Sequence, residues 1–124
     1  MAQIVLDTNI LIEILKNNLQ TLQDLQDLDA VFYISSITVM ELYFGARDKA
    51  ELSKLKKFAA SFELIAIDAD ISHRATQLIE MYAKSHHLDI PDALIAASAL
   101  VNKFRLMTYN KKDFKYIDGL SLFN

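Results

Sequence analysis

Carboxylates are the side chains in this sequence whose placement could do chemistry. Asp7 follows Ile4-Val5-Leu6, Glu41 lies inside the apolar run Ile37–Phe44, Asp92 follows Pro91, and Asp113 closes the stretch Asn110-Lys111-Lys112. Most of these acids have a modest structural explanation. Asp7, with Thr8 and Asn9 behind it, suits the N-cap of a helix. Asp92 suits the first turn of a helix that Pro91 opens and Asp89 caps. Asn110 and Asp113 suit an Asx-type turn or cap. Glu41 is harder to account for. Ile37, Met40, Glu41 and Phe44 share one helical face, and a carboxylate on a core-facing stripe must be paired, protonated or bound to a cation. Arg47 is the nearest base in sequence, so an ion pair and metal binding stand as equal alternatives for Glu41. Carboxylates converging from such distant segments would repel one another unless a cation neutralised them. Oxygen ligands in a chain without Cys suit Mg²⁺ or Mn²⁺, hard ions that keep waters and bridge to phosphate. An acid-lined site of this kind can activate water and clamp phosphate oxygens for in-line displacement. The chemistry indicated is phosphodiester hydrolysis.

The elements that must position these acids are compact. The 124 residues are 52% apolar and 23% charged, enough for one domain over residues 1–124 and too apolar for a disordered chain. The absence of Cys excludes disulfide scaffolds, thiolate zinc sites, iron–sulfur clusters and cysteine nucleophiles. The opening MAQIVLD has no basic flank, and no apolar run approaches the roughly 18 residues of a spanning helix. A soluble, cytoplasmic protein without membrane contact is expected. Net charge is −3, from 16 acids against 13 Lys and Arg; four acids assigned to a cation would leave 12 against 13. A nucleic-acid substrate is therefore compatible with the acidic total, provided those four acids meet.

Two Gly and one Pro leave little room for long loops. Runs rich in β-branched and aromatic residues mark strands at Gln3–Leu6, Val31–Ser35, Leu64–Ile67, Arg105–Thr108 and Leu120–Phe123. Helical periodicity marks Asn9–Lys16, Leu19–Leu28, a segment from after Ser35 through Phe44, Lys49–Ser61, Asp70 to about Lys84, and the nearly all-apolar Ala93–Val101. Strands alternating with helices imply parallel strands and a three-layer α/β/α sandwich, whose ligands bind beyond the carboxyl ends of the strands. Asp7, Asn110 and Asp113 all follow such ends.

Four segments taken together resemble a known family. Ile4-Val5-Leu6-Asp7-Thr8-Asn9 is similar to the opening motif of PIN-domain ribonucleases, and Thr38-Val39-Met40-Glu41-Leu42-Tyr43-Phe44-Gly45-Ala46 to the second. Pro91-Asp92-Ala93-Leu94-Ile95-Ala96-Ala97 resembles the third motif, and Met107-Thr108-Tyr109-Asn110-Lys111-Lys112-Asp113-Phe114 the fourth. They appear in family order across almost the whole chain. At this size the resemblance is to VapC-type toxins of type II toxin–antitoxin pairs. It implies a PIN-like five-stranded parallel sheet, Mg²⁺- or Mn²⁺-dependent endoribonuclease activity through a metal-bound water, a homodimer, and a VapB-like antitoxin inserted near the active site. By position it implies that Asp7, Glu41, Asp92 and Asp113 are the catalytic, metal-binding acids. Thr8, Asn9 and Asn110 would support them, and Tyr109 stands where many relatives carry a basic or polar residue. RNA ends would be 5′-phosphate and 3′-hydroxyl, because the 2′-OH need not attack.

Other residues have smaller parts in this reading. His73, His86 and His87 suit a helix and its cationic end. Lys54, Lys56 and Lys57 suit a solvated face, whereas Lys111, Lys112 and Lys115 suit phosphate contacts. Phe44 is expected in the core. Two rival functions remain. One is a receiver-like Mg²⁺-binding signalling domain with Asp68 as phospho-acceptor, although Asp7 lacks an adjacent second acid. A haloacid-dehalogenase-like phosphatase fails for the same reason. The other is a PIN-like module that binds RNA or protein without catalysis.

Overall fold

The computed structural model of the chain describes residues 1–123. Strand β1 (Ala2–Leu6) leads into helix α1 (Thr8–Leu15) and then α2 (Leu19–Gln26). Strand β2 (Ala30–Ser35) is followed by α3 (Ser36–Phe44) and α4 (Lys49–Ala59), and β3 (Glu63–Ile65) by α5 (Ala69–His86) and α6 (Ile90–Asn102). Strand β4 (Arg105–Met107) precedes a short 3₁₀ turn over Lys111–Asp113. The strands are parallel in the order β3-β2-β1-β4, and helices on both faces cover them, as crossover connections require. Ile4, Val5 and Leu6 of β1 are fully buried. They alternate between the two apolar clusters: Val5 joins the one built on α5 and α6, Ile4 and Leu6 the one built on α1 and α3.

Among the described residues the sheet has four strands rather than the expected five. Leu120–Phe123 does not form a strand: Leu122 makes a single isolated bridge to Leu106. Two backbone bonds flank it, Leu106 N–H to Ser121 O at 2.9 Å and Phe123 N–H to Leu106 O at 2.8 Å. Of the three residues of β4, only Leu106 exchanges backbone bonds with this segment, so the pairing stops at one bridge.

Capping explains where the helices begin. Asp68 accepts from Ile71 N–H at 2.9 Å and Asp89 from Asp92 N–H at 2.9 Å. The second bond places Pro91 and Asp92 in the first turn of α6, just ahead of its buried residues Ala93, Ile95, Ala96, Ala97, Ser98 and Ala99. These are small or apolar apart from Ser98, whose hydroxyl donates to Leu94 O one turn back at 2.7 Å. With α6 packed against α5 and the sheet, its first turn is held at the mouth of the core.

Helix α3 is rotated relative to the sequence expectation. Thr38 and Leu42 are its buried residues, while Met40 is 55% and Phe44 93% exposed. Phe44 therefore lies outside the core. The helix carries apolar side chains on nearly every side, so its periodicity could not select the inward face; contact with the sheet does.

Candidate active site

The carboxyl ends of β1 and β4 lie side by side, joined by Asp7 N–H to Met107 O at 3.0 Å. Asp7 leaves β1 there as the N-cap of α1 and is only 6% exposed. Both its oxygens are held: Oδ1 accepts from Thr8 N–H at 2.8 Å, and Oδ2 from the Thr108 hydroxyl at 2.7 Å. The Thr108 oxygen meanwhile accepts from Asn110 N–H at 3.0 Å and from Asn9 Nδ2 at 3.4 Å. With its acceptor positions used, that hydroxyl has one direction left for its proton, toward Asp7. Burial raises the Asp7 carboxyl above its ordinary range; the Thr108 and Thr8 bonds oppose that, and the charges of Glu41 and Asp113 add to it.

Glu41 projects from α3 to the same place. The Thr8 hydroxyl donates to its Oε1 at 2.7 Å and lies 3.0 Å from the buried Thr38 hydroxyl. Arg47 is not its partner. That guanidinium binds Glu51 at 2.8 Å on the exposed side of α4, where i,i+4 spacing makes the pairing local.

Asp92 occupies the first turn of α6. Its carboxyl is pushed up to about 7, first by burial and then by the charges of Asp89, Asp7, Asp113 and Glu41. Asp113, half-buried in the 3₁₀ turn after β4, contributes to the shifts of both Asp7 and Asp92. Tyr116 lies close enough to the group that Asp92 and Asp113, after burial, raise its phenol as well. Asn110 is exposed; its N–H serves Thr108 and its carbonyl accepts from Asp113 N–H at 3.0 Å, while its side chain caps nothing.

Asp7 and Asp92 thus each feel the charges of Glu41 and Asp113, which arrive from two further segments. Asn9 stands beside them, with Oδ1 accepting from Tyr109 N–H at 3.4 Å. The ion pairs found among the described residues, Lys16–Glu13 and Arg47–Glu51, do not touch this group. Among the described residues no three acids or histidines close into a set that could ligate one ion directly. The donor chemistry nevertheless fits a hard divalent cation: four carboxylates outside those ion pairs, and mutual repulsion that a cation would relieve. An ion such as Mg²⁺ keeps several of its waters and does not require a full cage of protein ligands. Thr108 and Thr38 were missed as site residues in the sequence. Both stand inside the family-like motifs, Thr108 also at a strand's carboxyl end and Thr38 one turn before Glu41, but neither residue type singled itself out. Asp68, the candidate phospho-acceptor, is accounted for as the cap of α5.

Thr108→Val should test how far Asp7 depends on this hydroxyl. The change preserves shape but removes the donor to a buried carboxylate and strands the two N–H groups behind it. A loss of about 2 kcal/mol is expected by chemical denaturation, and no measurable change would contradict the assigned bond.

Residues 4–120 match the family model described as the PIN domain. The chain is 29% identical to Ribonuclease VapC1 of Rickettsia felis, over 96% of this chain and 93% of that protein. It is 27% identical to the tRNA(fMet)-specific endonuclease VapC of Shigella flexneri, over 97% and 96% respectively. Its fold is similar to the structure of VapBC2 from Rickettsia felis bound to a DNA fragment from their promoter. The TM-score is 0.83 at 29% identity, covering 98% of each chain.

Proposed function

The chain belongs to the PIN-domain family, and from that premise we propose that it is a divalent-metal-dependent endoribonuclease, the toxin of a VapBC-like toxin–antitoxin pair. The observation that carries this reading is the group of four mutually repelling carboxylates at the joined ends of β1 and β4, outside the ion pairs of the described residues. Its match to relatives named as ribonucleases supports RNA as the substrate class.

Asp7, Glu41, Asp92 and Asp113 are the proposed holders of Mg²⁺ or Mn²⁺, with Thr8, Asn9 and Thr108 orienting them and Asn110 acting through its backbone. A cation bound there would supply the positive charge that activates water and stabilises charge on the phosphate. The chain's own residues do the rest. Thr8 ties Asp7 to Glu41 by offering its N–H to one and its hydroxyl to the other, so the two acids move as a unit. Thr108 holds the second oxygen of Asp7. One carboxylate takes the proton from the attacking water. Lys112 and Lys115, exposed on the segment that carries Asp113, are placed to meet backbone phosphates. No side-chain nucleophile is needed, so the products should carry 5′-phosphate and 3′-hydroxyl ends.

The proposed partners are RNA, a VapB-like antitoxin and a second copy of the chain. The VapBC assembly among the similar structures supports the antitoxin. Phe44 and Met40 on α3 and Leu64 on the edge strand β3 are large apolar side chains exposed to solvent, as expected of surfaces that proteins cover. No helix among the described residues is long and apolar enough to cross a membrane, and a cytoplasmic location is proposed.

The test is direct. Purified chain incubated with cellular RNA should cut it in Mg²⁺ or Mn²⁺, stop on chelation, and leave ends that a 5′-phosphate-dependent ligation captures. RNA bound but left intact with either metal present would replace this reading with a binding module.

A further inference from the structure

Between α2 and the segment following β4 lies a cavity of about 330 Å³, whose lining includes Asp24, Asp27, Leu28, Thr108, Tyr109 and Phe123. Its volume is at the small end of the range for ligand sites. Thr108 connects it to the acids: the residue is part of the cavity's lining, and its hydroxyl donates to Asp7. The remaining walls are aromatic and apolar in part. Tyr109 is 46% exposed, yet its ring is fixed at the far end by a hydroxyl–hydroxyl bond to the buried Thr21 of α2. Leu28 and Phe123 add apolar surface.

The charges of the cavity select among the parts of a nucleotide. Asp24 lies in the last turn of α2 and Asp27 is its C-cap, the negative end of the helix dipole, with no base in that turn. Carboxylates are unfavourable there. Asp24 accepts from Gln20 Nε2 at 2.8 Å, and neither acid joins an ion pair among the described residues. Lys111 also lines the cavity, on the segment leading to Asp113, and the two acids outnumber it. Two carboxylates repel phosphate and accept hydrogen bonds from amino and imino groups. The neutral base of a nucleotide fits that description and its phosphate does not.

Among the bases, guanine presents an imino N1–H and an amino N2–H side by side, a pair that matches the two oxygens of one carboxylate. Uracil flanks its single N–H with carbonyl oxygens, which face the carboxylates unfavourably. We propose that this cavity is a guanine-selective subsite for the nucleotide next to the scissile phosphate, with Asp24 and Asp27 reading the base and Tyr109 bearing on its face. Its role in RNA cutting rests on the endoribonuclease reading above; its selectivity does not. A basic side chain of a protein partner could also meet these acids. The base is favoured because Thr108 is shared between the cavity wall and Asp7, and because the wall includes the Tyr109 ring tethered to Thr21.

Guanosine and uridine are titrated into the full chain and into Asp24→Asn/Asp27→Asn, following the Tyr109 amide by NMR. Oligoribonucleotides differing at one base are cleaved in parallel. The native chain should favour guanosine by about tenfold or more, and the double variant should lose most of that ratio. Its melting temperature should be unchanged or slightly higher, because two charges leave the negative end of a helix. Equal binding of the two nucleosides by the native chain, or a ratio that survives the substitutions, overturns the proposal. So does binding of an arginine-bearing peptide that depends on Asp24 and Asp27 while guanosine does not bind. Guanosine selectivity lost in the variant, with no RNA cut by either chain, would support the subsite and remove the nuclease reading.

Discussion

Glu41→Gln is expected to lower RNA cleavage on the order of 10²–10³-fold, the scale on which a single group stabilising charge at a reacting centre is felt, without unfolding the chain. Gln keeps an oxygen that can accept from the Thr8 hydroxyl, so α3 stays tied to the start of α1. Only the charge offered to a cation is removed. Asp92→Asn should give a loss of similar size. Removing one of four mutually repelling carboxylates relieves strain in the metal-free fold, so thermal melting near neutral pH should hold steady or rise for both variants. Asp7→Asn should differ. Its amide nitrogen would face the Thr108 hydroxyl, whose acceptor positions already serve Asn9 and Asn110, or else would face Thr8 N–H. Activity and stability should fall together. Initial rates on a defined RNA, with melting curves on the same preparations, separate the cases. Full activity in Glu41→Gln would remove Glu41 from the reacting centre.

Divalent metal and pH should act on the same carboxylates. Asp92 has an ordinary value of 3.8 and is held at about 7 in the folded chain. A raised carboxyl means that the folded state keeps a proton the unfolded chain has already released. The contribution of Asp92 to stability is therefore greatest below about pH 4, declines as pH rises toward 7, and is level above that. Asp7 is shifted in the same direction. A cation reverses the trend by favouring the ionised forms. Mn²⁺ or Mg²⁺ should bind roughly fivefold more weakly at pH 6 than at pH 7, because a site half ionised at 7 is about a tenth ionised one unit lower. Binding should release protons, measurable by calorimetry in buffers of different ionisation enthalpy. At a hundredfold excess over Kd the ion should add about 2.7 kcal/mol to stability, with a melting temperature several degrees higher. Asp92→Asn should flatten the pH dependence of binding. Metal affinity independent of pH between 6 and 7 would mean that Asp92 is not among the groups that meet the ion.

Much of the fold was legible because local rules govern it. Asp7 and Asp89 cap the helices at which their residue type and spacing placed them, and Pro91 put Asp92 into the first turn of α6. The errors arose where local rules are silent. A run such as Leu120–Phe123 has the composition of a strand, but becoming one depends on how many backbone bonds its neighbour exchanges with it, and in β4 Leu106 alone does so. For Glu41 the sequence left an ion pair with Arg47 and a cation as equal alternatives, and the fold removes the first by giving Arg47 to Glu51.

The amino-acid order alone determined which acids are available, that three of the four sit at helix starts or strand ends, and that parallel strands would carry those ends to one edge of a sheet. Only the tertiary structure decided the rotation of α3, which brings Glu41 to the Thr8 hydroxyl and turns Phe44 to solvent. It also decided that Thr108, 101 residues from Asp7 in the chain, would hold that carboxylate. The reason is physical. Capping and periodicity are settled within a few residues, whereas the direction of a hydroxyl proton and the inward face of an all-apolar helix depend on what the rest of the chain places against them.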